Sequence, residues 1–315
     1  MNETLNQRAW ALAQASASQA RELGLRIKRA ANGALLLDFG AEAPGSVEAG
    51  LALARLCLAG LGEVKHESDP AGARVTVRID APWLPCLASQ FAGWKLEAGK
   101  FLAMGSGPMR AVAAHEPLFA RLVYTELAEA VVGILECRQS PPLAIIEQVA
   151  QRCRVAPTQI ILAYAPTASL AGIIQIGARS VETALHKLFE LGFDVKRIIR
   201  GSGSAPLPPI GATDFLAMGL TNDAILYGSE VTLWTDLSDD DVSAIGPRVP
   251  SCSSAAHGRP FRELFAEAGG DFYKLDPMLF SPAVVTFRNV KTDGRQRFGR
   301  LEPEILKRSF AGSSG

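Results

Sequence analysis

A chain of 315 residues with 48% hydrophobic and 20% charged residues can bury a core of its own, which excludes disorder as its main state. Lysine plus arginine and aspartate plus glutamate both number 32, so the formal net charge is zero and no general attraction to nucleic acid or an anionic membrane follows. The start MNETLNQRAWALAQ lacks the basic-then-apolar plan of a secretory signal, and no run reaches the ~18 apolar residues of a membrane helix. The cytoplasm is therefore the expected location.

Residues 2–23 predict an amphipathic helix, with Leu5, Ala9, Leu12 and Ala13 on one stripe and Gly24 as the stop. Leu25–Lys28 and Ala34–Phe39 read as strands around an Asn32-Gly33 turn. Ser46–Leu61 predicts a helix, apolar at Val47, Leu51, Ala54 and Leu58, that stops at Gly62. Arg74–Ile79 alternates Val75, Val77 and Ile79 with Arg74, Thr76 and Arg78, the pattern of a half-buried strand. Phe101–Met104 leads into the turn Gly105-Ser106-Gly107-Pro108. Tyr124–Val132 predicts a helix, Ile134–Cys137 a strand, residues 143–152 a helix and Ile160–Tyr164 a strand. Residues 176–191 predict the clearest helix, closed by Gly192, and Val195–Arg200 a strand followed by a loop over Gly201–Pro209. Residues 213–220 read as a helix, and Ala224–Tyr227 and Glu230–Trp234 as a hairpin about Gly228-Ser229. Asp239–Asp241 reads as a helix start, residues 260–268 as a helix and Ala283–Phe287 as the last strand, before a small polar tail at 311–315. Helices and strands recur in alternation, so the fold class is α/β, or mixed α+β. No repeat and no linker marks a domain boundary.

Several chemistries lack their residues. The four histidines (His66, His115, His186, His257) form no HExxH, and Pro85-Cys86 has Ser89 where a zinc deaminase needs a second cysteine. Cys57, Cys86, Cys137, Cys153 and Cys252 are scattered, odd in number and never in CxxC spacing, so neither a disulfide framework nor a zinc site is read. GxSxG, GxxxxGK[ST] and a helix-opening GxGxxG are absent. An enzyme built on this chain is expected to use side chains and backbone, without metal or redox cofactor.

Three segments carry what chemistry there is. Gly105-Ser106-Gly107-Pro108 ends a strand, exposes backbone N–H groups where no β-carbon blocks a ligand, and is flanked by Lys100 and Arg110, which favour an anion; a tight turn accounts for it equally. Gly201-Ser202-Gly203-Ser204, also after an apolar strand, lines a flat ligand or simply connects two elements. On the helix over 176–191, Arg179 and Glu182 are three apart and Glu182 and His186 four apart, all on one face. Such a triple is a solvated ion pair unless its neighbours build a site, and here glycine-rich segments adjoin it.

These segments resemble the methenyltetrahydromethanopterin cyclohydrolase family, in its form from methylotrophic bacteria. The likeness is carried by AGWKLEAGKFLAMGSGPMRA (92–111), LECRQSPP (135–142), APTASLAGIIQIGARSVETALHKLFELGFD (165–194) and IIRGSGSAPLPPIGATDFLAMGLTNDAILYG (198–228), in order along the central half of the chain. The resemblance implies a homotrimer whose single chain, residues 1–315, forms two discontinuous α/β subdomains with a cleft between them. It implies hydrolysis of the N5,N10-methenyl bridge of tetrahydromethanopterin to the N5-formyl compound, in the one-carbon steps of formaldehyde oxidation. It implies Arg179 and Glu182, in ARxxE, as the catalytic pair, Glu136 as a further carboxylate, and Lys95 or Lys100 as a binding lysine. Gly105, Ser106, Gly107, Gly201, Gly203 and Ser204 are the remaining expected substrate contacts. The alternatives are a non-catalytic pterin- or phosphate-binding module, and a metal-free hydrolase acting on a related pterin such as the folate analogue.

Overall fold

The computed structural model describes residues 3–70, 72–270 and 274–311, so most of the expected polar tail lies outside the described residues. The chain divides into two compact units, each assembled from two stretches: Met1–Gly62 with Leu84–Gln175, and Glu63–Trp83 with Ile176–Gly315. In chain order the elements are α1 (Leu5–Ser18), α2 (Ala20–Leu23), β1 (Arg26–Arg29), β2 (Leu35–Asp38), α3 (Val47–Cys57), β3 (Gly62–Asp69), β4 (Gly72–Asp80), a π-helical turn over Leu84–Gln90, β5 (Trp94–Ala98), β6 (Phe101–Ser106), α4 (Met109–Ala113), α5 (Pro117–Leu122), β7 (Val131–Glu136), α6 (Leu143–Cys153), β8 (Ile160–Ala165) and α7 (Leu170–Gly177). Then come α8 (Ser180–Glu190), β9 (Ile198–Pro206), α9 (Asp214–Gly228), β10 (Glu230–Thr235), α10 (Asp239–Ile245), α11 (Phe261–Glu267), β11 (Val284–Asn289), β12 (Arg295–Gly299) and α12 (Pro303–Ala311). No helix among the described residues is long and apolar enough to cross a membrane.

The first unit is built on a mixed six-stranded sheet, ordered β1-β2-β8-β7-β6-β5. Its centre, β2, β8 and β7, is parallel, and all six residues of β8 are buried, as expected of a strand covered on both faces. One face packs Trp94, Leu96, Leu135 and Leu162 against Ile145, Ile146 and Val149 of α6. On the other lies α3, whose Cys57 approaches Ser106 of β6. The predicted β1–β2 hairpin forms, with Gly33 at φ 94° in its turn. Helix α3 begins as predicted, at a Ser46 cap, but ends before the expected Gly62 because Ala59 and Gly60 turn left-handed at φ 51° and 71°.

The helix predicted over Tyr124–Val132 does not form. Helix α5 ends at Leu122 with Val123 at φ 51°, and Val131 already belongs to β7. The cause is a long-range partner: the Glu126 carboxylate accepts from Leu5 N (2.6 Å) and Asn6 N (3.1 Å), while its own N–H donates to Ala111 O (2.9 Å). An anionic side chain satisfies the unpaired amides at the start of α1 and keeps residues 124–128 out of a helix.

The second unit is built on another mixed sheet, ordered β12-β11-β10-β9-β4-β3. Strand β4 has the expected alternation, with Val75, Val77 and Ile79 buried. Its edge partner β3, GEVKHESD, is too polar to be legible as a strand. Strand β9 corrects the predicted loop: it runs through Gly201, Gly203 and Ser204 to Pro206, paired on both sides. The hairpin expected at Gly228-Ser229 is also corrected. Ala224–Tyr227 is the last turn of α9, which begins at a Thr213 cap and packs Leu226 and Tyr227 against Phe261, Leu264 and Ile305. Ala283–Phe287 is not the last strand, since β12 and α12 follow. The parallel pairing of β10 with β11, beside the antiparallel pairings of β10 with β9, β9 with β4 and β11 with β12, makes this unit mixed α/β as well.

Candidate active site

In the first unit Glu136 lies at the C-terminal ends of the parallel strands β2, β8 and β7, where ligands collect in α/β sheets, whereas Gly105–Gly107 run toward the other end of β7. Glu136 ends β7, half-buried, and Gln175 Nε2 donates to its Oε1 at 3.2 Å. The Gln175 side-chain oxygen in turn accepts from the Cys57 thiol at 3.8 Å, and Cys57 lies 3.9 Å from Ser106 Oγ. On the same sheet edge, Asp38 accepts from the amides of Gly40, Ala41, Glu42 and Ala43 and so fixes the loop leaving β2. Sequence reasoning missed Gln175; the signal is a lone amide in the apolar run IIQIGA.

Register separates the two candidate lysines. Lys95 pairs with Met104, which pairs with Glu136, so Lys95 shares the sheet face of Glu136 two strands away. Its Nζ meets Glu97 Oε1 at 2.6 Å. Lys100 lies on the exposed turn between β5 and β6.

Gly105, Ser106 and Gly107 are buried. A Cβ on Gly105 would lie 3.1 Å from Met109 Cε, and one on Gly107 2.5 Å from Ile134 Cδ1; Gly107 also needs φ 90° and donates its N–H to Ser89 O at 2.7 Å. Arg110, expected to flank this turn as an anion-attracting cation, is instead fully buried. Its Nε and Nη2 donate to the two oxygens of Glu116 (2.8 and 2.6 Å), its Nη1 to Leu87 O and Ser89 O (3.0 and 3.3 Å), and Phe91 and Phe119 lie over its guanidinium. The charge is spent inside the fold, holding the π-helical turn.

In the second unit the predicted helix over 176–191 is broken. Helix α7 ends at Gly177, and Arg179 is the N-cap residue of α8, at φ −88°, ψ 4°. Glu182 lies in the first turn of α8, where the helix dipole favours a negative charge. Arg179 and Glu182 are 7% and 4% exposed, so the solvated-face reading of this pair is overturned by burial. His186 lies one turn on, half-buried. Lys187 follows, 1% exposed, donating to Ser253 Oγ (3.2 Å) and Met278 O and so fastening α8 to two short 3-10 turns; burial pushes its ammonium down to about 8.

Gly201 pairs with Leu233 and Ile79, Gly203 with Val231 and Val77, and Ser204 with Glu230 and Thr76. Ser204 Oγ accepts from Arg74 Nε at 2.7 Å. No disulfide joins the five cysteines, and among the described residues no group of three or more His, Cys, Asp and Glu side chains is placed to hold a metal ion.

Comparison with known proteins agrees over nearly the whole chain. The family model described as Cyclohydrolase (MCH) matches residues 4–310. A methenyltetrahydromethanopterin cyclohydrolase of Methylobacterium organophilum is 45% identical over 302 residues, 93% of each chain. The protein of that name from Rhodopirellula baltica is 44% identical over 287 residues, covering 88% of this chain and 86% of the relative. That from Methanocorpusculum labreanum is 39% identical over 284 residues, 89% of this chain and 90% of the relative. The chain belongs to the MCH cyclohydrolase family.

Proposed function

We propose that this protein is a methenyltetrahydromethanopterin cyclohydrolase, which adds water across the N5,N10-methenyl bridge and releases the N5-formyl compound. The observation that carries this reading is the family match, which spans residues 4–310 and includes all four segments that first suggested it. The bridge carbon belongs to an amidinium cation and is already electrophilic, so the chemistry needs a positioned water and a proton acceptor. Glu182 takes the proton of the attacking water as the new C–O bond forms. The C–N10 bond of the tetrahedral adduct then breaks as the carboxyl returns that proton to N10, and the adduct's hydroxyl gives up the second water proton to solvent as the formyl C=O forms, so one proton is released per turnover. Arg179 holds the carboxylate ionised and oriented. Glu136 and Lys95 are proposed as pterin contacts.

The discriminating experiment follows the absorbance of the methenyl chromophore with the tetrahydromethanopterin and tetrahydrofolate derivatives side by side. Rapid loss of the first chromophore is expected, and retention of both in the bound state would instead identify a pterin-binding module. No step needs a metal or redox cofactor, so exhaustive chelation leaves turnover unchanged; activity lost to chelator and restored by zinc contradicts this.

The same reading has the enzyme acting as a cytoplasmic homotrimer in formaldehyde oxidation. Light scattering then gives about three chain masses, and a fully active monomer contradicts the trimer.

A further inference from the structure

Helix α8 meets strand β9 through its first two residues. A Cβ on Gly201 would lie 2.6 Å from Val181 Cγ1; one on Gly203 would lie 2.3 Å from Ser180 Oγ and 3.1 Å from Val181 Cγ2. The two glycines are two residues apart on one strand and therefore share a face. Val181 fills the groove they leave, and the Ser180 hydroxyl stands where a side chain of Gly203 would begin. Both residues are 0% exposed.

At Gly201 neither side of this contact can give. Strand β9 is paired to β10 and β4 at both glycines, so it cannot retreat from the helix. Val181 is β-branched, with one strongly preferred χ1 in a helix, so its methyls cannot swing aside. The Ser180 hydroxyl is buried without a hydrogen-bond partner. Leaving a buried hydroxyl unpaired costs stability, so the close approach is kept against that cost. The residue that follows Val181 is Glu182.

We infer that Gly201 and Gly203 are positioning residues for the reaction: with Val181 seated between them they fix the height of the first turn of α8 above the sheet, and through it the Glu182 carboxylate. The inference rests on the reading of Glu182 as the base. It explains why a central strand carries two glycines, residues that weaken a strand and mark close approach. It also replaces their expected role as a ligand-lining loop with one that acts through the helix.

The test is Gly201→Ala, read by separate kcat and KM. A displaced catalytic group loses rate steeply, up to about 10²-fold for about 1 Å, so kcat falls about tenfold or more while KM stays within about twofold. The double variant Val181→Ala/Gly201→Ala removes the methyls that the new one strikes and restores kcat to within about threefold of the parent. Gly203→Ala, whose closest clash is with a hydroxyl able to rotate, is the milder variant and is read in the same way if Gly201→Ala does not fold. A folded Gly201→Ala with the parental kcat overturns the inference, as does a loss that Val181→Ala does not relieve. Glu182→Gln assayed alongside separates the two levels. If it turns over at the parental rate, the reading of Glu182 fails; if it is inactive while both glycine variants turn over normally, the positioning inference alone fails.

Discussion

Glu182→Gln lowers kcat by about 10²–10⁴-fold, the usual cost of removing a general base, while KM changes little. Glutamine keeps the shape and one acceptor oxygen but cannot take the proton of water. The side chain is 4% exposed in the first turn of α8, so bulk water does not replace it as acceptor. Arg179→Ala lowers kcat as well, because the carboxylate loses a neighbouring cation. The double variant is little worse than the worse single one, since groups acting as a unit are not additive. An ordinary surface ion pair behaves differently: each change costs a few tenths of a kcal/mol in stability and nothing in rate. Steady-state kinetics of the three variants, with thermal melts as the folding control, decide between these outcomes.

Arg110→Met destabilises the first unit by about 3–5 kcal/mol, the range for removing one partner of a buried ion pair. Methionine roughly fills the volume but leaves the Glu116 carboxylate without its two guanidinium donors and takes the Nη1 donor from Leu87 O and Ser89 O, of which Ser89 O keeps the Gly107 N–H. Glu116 is buried, and its Oε2 lies where a Cβ on Gly93 would stand, so water has little access to the stranded carboxylate. Arg110→Met/Glu116→Leu recovers a large part of the loss, since no buried charge is then left unpaired. Denaturant melts read both values. A single variant as stable as the parent would return Arg110 to the exposed, anion-attracting position expected from sequence.

What the sequence disclosed and what it hid follow from the range of the forces involved. Strand β4 was legible because one face is buried and its valines alternate. The starts of α3 and α10 were legible because their cues are local: Ser46 opens the first, and the acidic run Asp239–Asp241 forms the first turn of the second. Strand β9 was not, because its glycines owe their place to Val181 and Ser180 on α8, and read alone they signal a loop. The helix expected over Tyr124–Val132 failed for a similar reason: Glu126 is claimed by amides more than a hundred residues earlier. Ala224–Tyr227 is apolar on every side in a buried helix end, where helical and strand periods cannot be told apart. Among the candidate residues, Glu136 in the first unit and Arg179 and Glu182 in the second were named from motifs. The helix break that makes Arg179 an N-cap, the support of Glu136 by Gln175, and the place of Lys95 on the rung of Glu136 with Lys100 on a turn needed the fold.

The most direct measurement is stopped-flow absorbance of the methenyl chromophore at saturating substrate, parent enzyme against Glu182→Gln. Rapid bleaching by the parent is expected. The variant binds the pterin, seen as quenching of protein fluorescence, yet keeps the chromophore for at least about a hundred times as long. A variant that binds and bleaches at the parental rate would contradict the assignment of Glu182 as the base that activates water.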